Sequence, residues 1–240
     1  MKSSKHLFVV IACLVSVVGL VTSDAQAALL VTYDFSNPFQ SGGQPSTAAT
    51  FVTAGVSASP IVRGIGLGPL AGDSSINSNG FTLATSPDAN DYYEFVVGPT
   101  GASPLSLDSL EFTSRRSSAG PRAISIVALP SGGSAITLQT IALANSEANF
   151  RTIVGLTATA ALQNLVAPLT FRIFGYDADL AVGTYRIGLD TSATGSNLPP
   201  NLQLFGTVAT TTPVPEPSTI AMAGMGVVVL CGYGWRRRAV

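Results

Sequence analysis

Short apolar runs alternate with polar, turn-forming residues through the middle of the chain. Runs rich in Val, Ile, Phe, Tyr and Thr are separated by Gly, Pro, Asn and Ser about every ten residues, a spacing typical of β-sandwiches and barrels. Alternation is clearest at residues 169–173 and 185–189, and we expect those faces to build the core. The predicted strands are Leu30–Phe35, Thr50–Val56, Gly80–Ala84, Tyr92–Val97, Leu105–Phe112, Ala123–Leu129, Ile136–Leu143, Phe150–Val154, Leu169–Phe174, Thr184–Leu189 and Gln203–Val208.

One segment departs from the strand pattern. Residues 157–165 are rich in Ala, with Leu162 and Leu165 three apart, which predicts one or two helical turns. Ser and Gly cluster at residues 41–47, 72–80 and 191–200, where we expect loops. Without helices long enough for parallel crossovers, the pattern predicts an all-β fold of two antiparallel sheets, formed by a single domain at residues 28–209.

The first 27 residues have the layout of a secretory signal peptide. Lys2 and Lys5 precede an apolar stretch at residues 7–21. The small residues Ala25 and Ala27 then form a cleavage site for signal peptidase. The apolar run is too short for a stable membrane span. We predict export and cleavage after Ala27, and an uncleaved anchor is the alternative.

The last segment, residues 210–240, combines a proline motif, an apolar stretch and a basic end. The proline motif is Pro215, Glu216 and Pro217, the uncharged stretch covers residues 218–235, and the basic end is Arg236, Arg237 and Arg238. The uncharged stretch is long enough to form a transmembrane helix, and the arginines hold its end in the cytoplasm. Prolines cannot continue a helix, so the motif stays extended outside the membrane.

This order of segments resembles the PEP-CTERM sorting signal of bacteria that make exopolysaccharide. The resemblance implies processing by an exosortase, a membrane protease-transpeptidase that cuts near the motif and replaces the hydrophobic tail. It implies a protein held in the inner membrane by its C-terminal helix before processing. Afterwards the protein would lie at the cell surface or in the extracellular matrix of a Gram-negative-type bacterium. A plain single-pass anchor behind a proline-rich stalk is the alternative.

Charge, histidine and cysteine content exclude several function classes. Residues 28–212 carry seven arginines and eleven acidic residues, without the basic stripe that a nucleic-acid partner requires. The only histidine is His6, and the two cysteines, Cys13 and Cys231, lie in the terminal segments. A Ser-His-Asp triad or a His- or Cys-ligated metal is therefore not available to the domain. The glycines at 64, 66 and 68 fail as a dinucleotide motif because Pro69 follows, and they predict a turn.

Sugar recognition needs aromatic side chains beside polar groups, and the sequence offers a small set of both. The candidate ligand-binding residues are Asp91, Tyr92, Tyr93 and Tyr176, with Asn90, Asp177 and Tyr185 as further candidates. Tyrosine in a strand is more often a packing residue. The pattern of Asn90–Phe95, Leu105–Leu110, Ser114–Ser117 and Phe171–Tyr176 resembles ectodomains found on PEP-CTERM proteins, which implies a jelly-roll sandwich akin to carbohydrate-binding modules.

Two acidic clusters and an arginine pair complete the candidates. Residues 88–91 and 177–179 place carboxylates at the alternate spacing that a structural calcium could use, although Asx-rich turns look the same. Arg115 and Arg116 could contact an acidic polysaccharide, but neighbours on a strand face opposite sides and pairing with Asp or Glu is the more common outcome.

Taken together, these features favour a non-enzymatic surface protein without a cofactor, whose ectodomain binds polysaccharide. A carboxylate-based glycosidase and a purely structural or adhesive protein stay open as alternatives.

Overall fold

The structure is a computed structural model that describes residues 27–36, 41–144, 147–191, 197–199 and 201–209. Ala27 is exposed. The rest of the predicted signal peptide, including Ala25, and all of the predicted tail lie outside the described residues. The parts of the tail concerned are Pro215, Glu216, Pro217, the 218–235 helix, Arg236, Arg237 and Arg238.

Sixteen strands and one 3₁₀ turn form the described part of the chain. The strands are β1 (Ala28–Asp34), β2 (Ser41–Gly42), β3 (Ser46–Thr47), β4 (Phe51–Val52), β5 (Val56–Ala58), β6 (Ile61–Arg63), β7 (Gly68–Pro69), β8 (Ser75–Asn79), β9 (Tyr92–Pro99), β10 (Leu105–Arg116), β11 (Pro121–Pro130), β12 (Ile136–Ala142), β13 (Phe150–Gly155), β14 (Leu169–Ala178), β15 (Tyr185–Gly188) and β16 (Asn201–Val208).

These strands form two sheets. Sheet A has the order β2-β8-β15-β10-β16-β1-β4, with β13 beside β10 and β7 beside β8. Sheet B has the order β12-β11-β14-β9-β6-β3, with β5 beside β9. All pairs are antiparallel except β2 with β8. The first long strand, β1, pairs with the last, β16, from Ala28 opposite Gly206 to Asp34 opposite Asn201.

The inner faces of the two sheets meet in one apolar core. Tyr33 of sheet A packs edge-on against Phe95 of sheet B with ring centroids 5.4 Å apart, and Phe95 stacks on Phe171 at 5.2 Å. Tyr93 and Tyr185 are fully buried, and the Tyr93 hydroxyl donates to the carbonyl of Tyr185 at 2.7 Å. Aromatic contacts from both sheets therefore tie the layers together.

The strands of both sheets run between two ends of the sandwich. We call the end that carries Ala28 and Ala209 the tail end, because Ala28 lies opposite Gly206 and the amide of Ala209 bonds to the carbonyl of Pro104. The other end, which carries the loop at residues 88–91, is the distal end. β14 runs away from the tail end, β11 returns to it, and β12 runs away from it again.

The predicted all-β sandwich is confirmed, with exceptions in particular elements. The predicted strand Gly80–Ala84 is wrong. The strand in that region is β8, and it ends before Gly80, which has a φ of +88° that ends the extended run. The predicted strand Thr50–Val56 is interrupted by a turn in which the amide of Val56 bonds to the carbonyl of Thr53.

Of the one or two helical turns predicted at residues 157–165, one forms. One 3₁₀ turn, Ala160–Leu162, forms within the predicted segment, and Leu162 reaches the core. Of the described residues, none lie in a helix with the length and apolar character that crossing a membrane requires.

Candidate functional site

The outer face of sheet B brings together aromatic and charged side chains from β9 and β14. In the register of these strands, Tyr92 lies opposite Phe174 and Glu94 lies opposite Arg172. Successive residues of a strand point to opposite faces. Because Phe95 and Phe171 point into the core, these four side chains point outward. We call this group the Tyr92 cluster.

Contacts hold the Tyr92 cluster in a fixed arrangement. Arg172 Nε donates to Glu94 Oε2 at 2.6 Å, and the guanidinium carbon lies 4.3 Å from the centroid of the Tyr92 ring. The Tyr92 and Phe174 rings meet edge to face at 5.5 Å. Cation–π and edge-to-face contacts of this kind fix the orientation of each group.

The cluster remains accessible to a ligand. The side chains of Arg172 and Glu94 keep 29% and 24% of their surface exposed, and Tyr92 and Phe174 are half-buried. In the described part of the chain, only Nε of the guanidinium has a hydrogen-bonded partner. The cluster can therefore offer apolar ring surface together with guanidinium donors and carboxylate acceptors to a polyhydroxylated ligand.

The predicted ligand-binding tyrosines separate in the structure. Tyr176 follows Phe174 by two positions and lies on the same outer face, although it is only 9% exposed. Tyr93 alternates with Tyr92 and is fully buried, where its hydroxyl accepts a hydrogen bond from Ser78 Oγ at 2.8 Å. Tyr185 is equally buried in sheet A. Tyr93 and Tyr185 therefore belong to the core, while Tyr92 and Tyr176 belong to the outer face.

Asp91 lies beneath the distal loops rather than on the outer face. It is 5% exposed, and a Cβ added to Gly66 would lie 2.0 Å from its Oδ1. Burial raises the pKa of the Asp91 carboxyl, the charge of Asp88 raises it further, and a hydrogen bond from the Thr82 amide lowers it in part. The glycine loop predicted as a turn covers this carboxylate, with the amide of Gly66 bonded to the carbonyl of Asn90.

Two of the candidate calcium ligands, Asp88 and Asp179, have other partners. Asp88 Oδ1 accepts the amide of Asn90 at 2.8 Å. Asp179 pairs with Arg116 at 2.9 Å and with Arg122. Within the described ranges, no group of three or more His, Cys, Asp or Glu side chains could hold a metal ion. The described part of the chain gives no support for calcium here.

Arg115 and Arg116 pair with acidic residues, as the sequence predicts. Arg115 lies between Glu147 at 3.1 Å and Asp190 at 2.5 Å on the outer side of sheet A. Arg116 points inward, is 1% exposed, and bonds to Asp179. Hydrogen bonds from the backbone and side chain of Ser118, followed by the charge of Arg115, lower the pKa of Glu147.

Sequence reasoning missed three members of the Tyr92 cluster, namely Glu94, Arg172 and Phe174. Both strands were predicted, and their alternation already places these residues outward. The sequence does not show that β9 pairs with β14, or in which register the two strands pair. Residues far apart in sequence meet only through the sheet. An outward Arg opposite an outward Glu is the signal that a pairing prediction could use.

Comparison with known proteins settles the identity of the tail. Residues 213–238 match the family described as the PEP-CTERM protein-sorting motif. The chain carries a PEP-CTERM motif. The resemblance stated for the tail is thereby confirmed, and the motif indicates an exported protein that an exosortase sorts to the cell surface. No curated protein sequence matches the chain.

The β-sandwich that precedes the PEP-CTERM motif is similar to carbohydrate-binding modules in solved structures. A family 29 module is 12% identical with a TM-score of 0.38, covering 75% of this chain and 89% of the other. A mutant of that family in complex with cellulohexaose is 12% identical with a TM-score of 0.38, covering 75% and 93%. TmCBM27, whose description names specific mannan recognition, is 12% identical with a TM-score of 0.34, covering 77% and 100%.

Proposed function

We propose that this protein is exported, loses its signal peptide after Ala27, and is cut by an exosortase near Pro215–Pro217, which delivers the β-sandwich to the cell surface or extracellular matrix. The PEP-CTERM motif at residues 213–238 carries this proposal. The hydrophobic stretch at 218–235 holds the chain in the inner membrane until the tail is exchanged. The tail is then a sorting signal that is removed, and not a permanent membrane anchor.

Mass spectrometry of the mature protein, with cell fractionation, tests this route. We expect an N-terminus at Ala28 and a C-terminus close to Pro215–Pro217 in material from the cell surface or medium. A matched pair of variants separates the motif from its surroundings: Glu216→Ala is expected to block processing, while Thr211→Ala, outside the matched residues, is expected to leave it unchanged. Mature protein that retains residues 218–235 would contradict the exchange of the tail.

We further propose that the ectodomain binds polysaccharide, without catalysis, at the Tyr92 cluster. The observation that carries this is a half-exposed aromatic pair beside an Arg172–Glu94 ion pair on one sheet face. The axial C–H groups of a sugar ring can pack on the Phe174 and Tyr92 rings, and hydroxyl groups can accept from Arg172 and donate to Glu94. Because ring and guanidinium orientations are already fixed, little conformational entropy is lost on binding. Tyr176 extends the same face.

A glycan array and affinity electrophoresis test this binding. We expect Phe174→Ala and Arg172→Ala each to weaken retention by about tenfold or more, the typical effect of removing a central contact. The matched control is Phe205→Ala, since Phe205 is a half-buried strand phenylalanine of sheet A. Equal loss of binding in the Phe174 and Phe205 variants would place the ligand elsewhere or indicate a general loss of folding.

The absence of catalysis has its own test. Hydrolysis of a polysaccharide panel by the mature protein, abolished by Glu94→Gln or Asp91→Asn, would support a carboxylate-based glycosidase in place of a binding module. We expect no hydrolysis, because in the structure Glu94 is ion-paired to Arg172 and Asp91 is buried beneath the distal loops.

A further inference from the structure

The free edge of sheet B differs from the other described edges of the sandwich. Among the strands that the structure describes, β12 pairs only with β11, so one side of its backbone is open. It is seven residues long, about 23 Å, and exposes Thr137, Gln139 and Thr140. The edge strands β2, β3, β4, β5 and β7 have only two or three residues.

Natural proteins protect long edge strands with charges or proline, and β12 has neither. No charged residue occurs from Ala123 to Ser146, and no proline lies within β12. The other long edge strand, β13, carries Arg151, which pairs with Glu111 at 2.5 Å. An open strand of β-forming residues without a charge is a template for pairing with another strand.

We propose that β12 pairs antiparallel with β12 of a second copy of this chain, so that sheet B continues across both molecules. A two-fold axis places the same segment on both sides, and the uncharged sequence avoids the like-charge contacts that most surface segments would meet there. The exposed Thr and Gln side chains favour cross-strand hydrogen bonds in such a pair. Backbone hydrogen bonds supply the affinity, as in other strand additions.

The direction of β12 determines how the two copies are oriented. β12 runs from the tail end of the sandwich to the distal end. Antiparallel pairing reverses this direction in the second copy, so the tail end of one molecule lies beside the distal end of the other. Two copies tethered by their tails to the same surface cannot adopt this arrangement. The pairing therefore joins copies on two facing surfaces, or copies released from the cell.

This pairing rests on the proposed export, which places the copies outside the cell, and it does not rest on polysaccharide binding. One strand edge buries less area than a stable dimer interface, about 1,000 Å² or more, so a single contact is weak. Many copies on facing surfaces add these contacts together.

Sedimentation equilibrium of the mature protein purified from cells tests the association itself. We expect dimers that increase with concentration in the high micromolar range, and the double variant Thr137→Lys/Thr140→Lys should weaken the association by about tenfold or more, as edge lysines do in natural sheets. The matched control is Thr157→Lys, at an exposed position outside the strands. A monomer at all concentrations, or equal association in the double variant, would overturn the proposal.

A second assay tests the orientation. Cells that display the full chain, labelled in two colours, are mixed, and we expect clumps containing both colours that the double variant abolishes and Thr157→Lys preserves. Dimers in sedimentation without mixed clumps, from cells whose surface retains the protein, would overturn the antiparallel orientation. Glycan-array binding is measured for the same variants and is expected to be unchanged, so a failure of polysaccharide binding stays separate from a failure of pairing.

Discussion

Arg116 and Arg122 pair with the same carboxylate but differ in burial, which allows a controlled test of what holds the distal end together. The Arg116 side chain is 2% exposed and that of Arg122 is 58% exposed, and both contact Asp179. The Arg116 guanidinium also donates to the carbonyls of Ser117 and Ser118 at 3.1 and 2.8 Å. We expect Arg116→Ala to lower the free energy of unfolding by about 3 kcal/mol, because it removes a large buried side chain together with the hydrogen bonds that this side chain makes. Arg122→Ala should change it by about 0.5 kcal/mol or less.

Urea denaturation of the mature protein, followed by circular dichroism, measures both values. The slope of the unfolding free energy against urea concentration should stay unchanged, so that the shift in the midpoint alone reports the loss of stability. The Arg116 value includes the loss of a large buried side chain, so Arg116→Met is a useful second variant that keeps volume while removing the charge. Equal losses for Arg116→Ala and Arg122→Ala would refute the reasoning, because burial would then not decide the strength of the pair.

Two further predictions follow from buried ionisable groups. The raised pKa of Asp91 means that the folded state holds a proton that the unfolded state has lost, so stability should increase as the pH falls toward 3.8; Asp91→Asn should remove this part of the pH dependence in thermal unfolding. Burial likewise raises the pKa of Tyr33, Tyr93 and Tyr185 above 10.0, so stability should decrease as the pH rises beyond that value. Absorbance at 295 nm should then show that they ionise only as the protein unfolds; a titration of all tyrosines near pH 10 in folded protein would contradict this.

The long strands could be predicted from sequence because their alternation is undisturbed. β9, β10, β11, β14 and β16 all coincide with predicted strands, since each has a continuous apolar face directed at the core. The short strands β2, β3, β6 and β7 are not predicted, because each has only two or three residues and periodicity over so few positions does not differ from that of a loop. The loop expected at residues 72–80 is wrong where β8 forms, because its five residues are mostly polar although four of them are buried.

The candidate site was predictable only in part, for a related reason. Alternation separates Tyr92 from Tyr93, because Tyr93 is in phase with the buried Phe95. The two tyrosines therefore do not form one candidate group. The pairing of Glu94 with Arg172 requires the register between strands 78 residues apart, which depends on the whole fold and not on either segment. The sorting motif at residues 213–238 could be predicted from sequence, since a linear motif needs no tertiary context.

The pairing of β1 with β16 has a consequence for how the chain reaches its fold. A chain that emerges from a membrane with its N-terminus first presents β1 long before one of its two neighbours, β16, which ends at Val208. Sheet A cannot close until almost the entire domain has emerged, and such long-range pairing forms slowly. Sheet A therefore stays incomplete while most of the domain is still being threaded. The match to the sorting motif begins at residue 213, so the event that admits the last strand occurs just before the chain presents its processing site. The strand that completes sheet A and the sorting motif are therefore separated by only the residues 209–212.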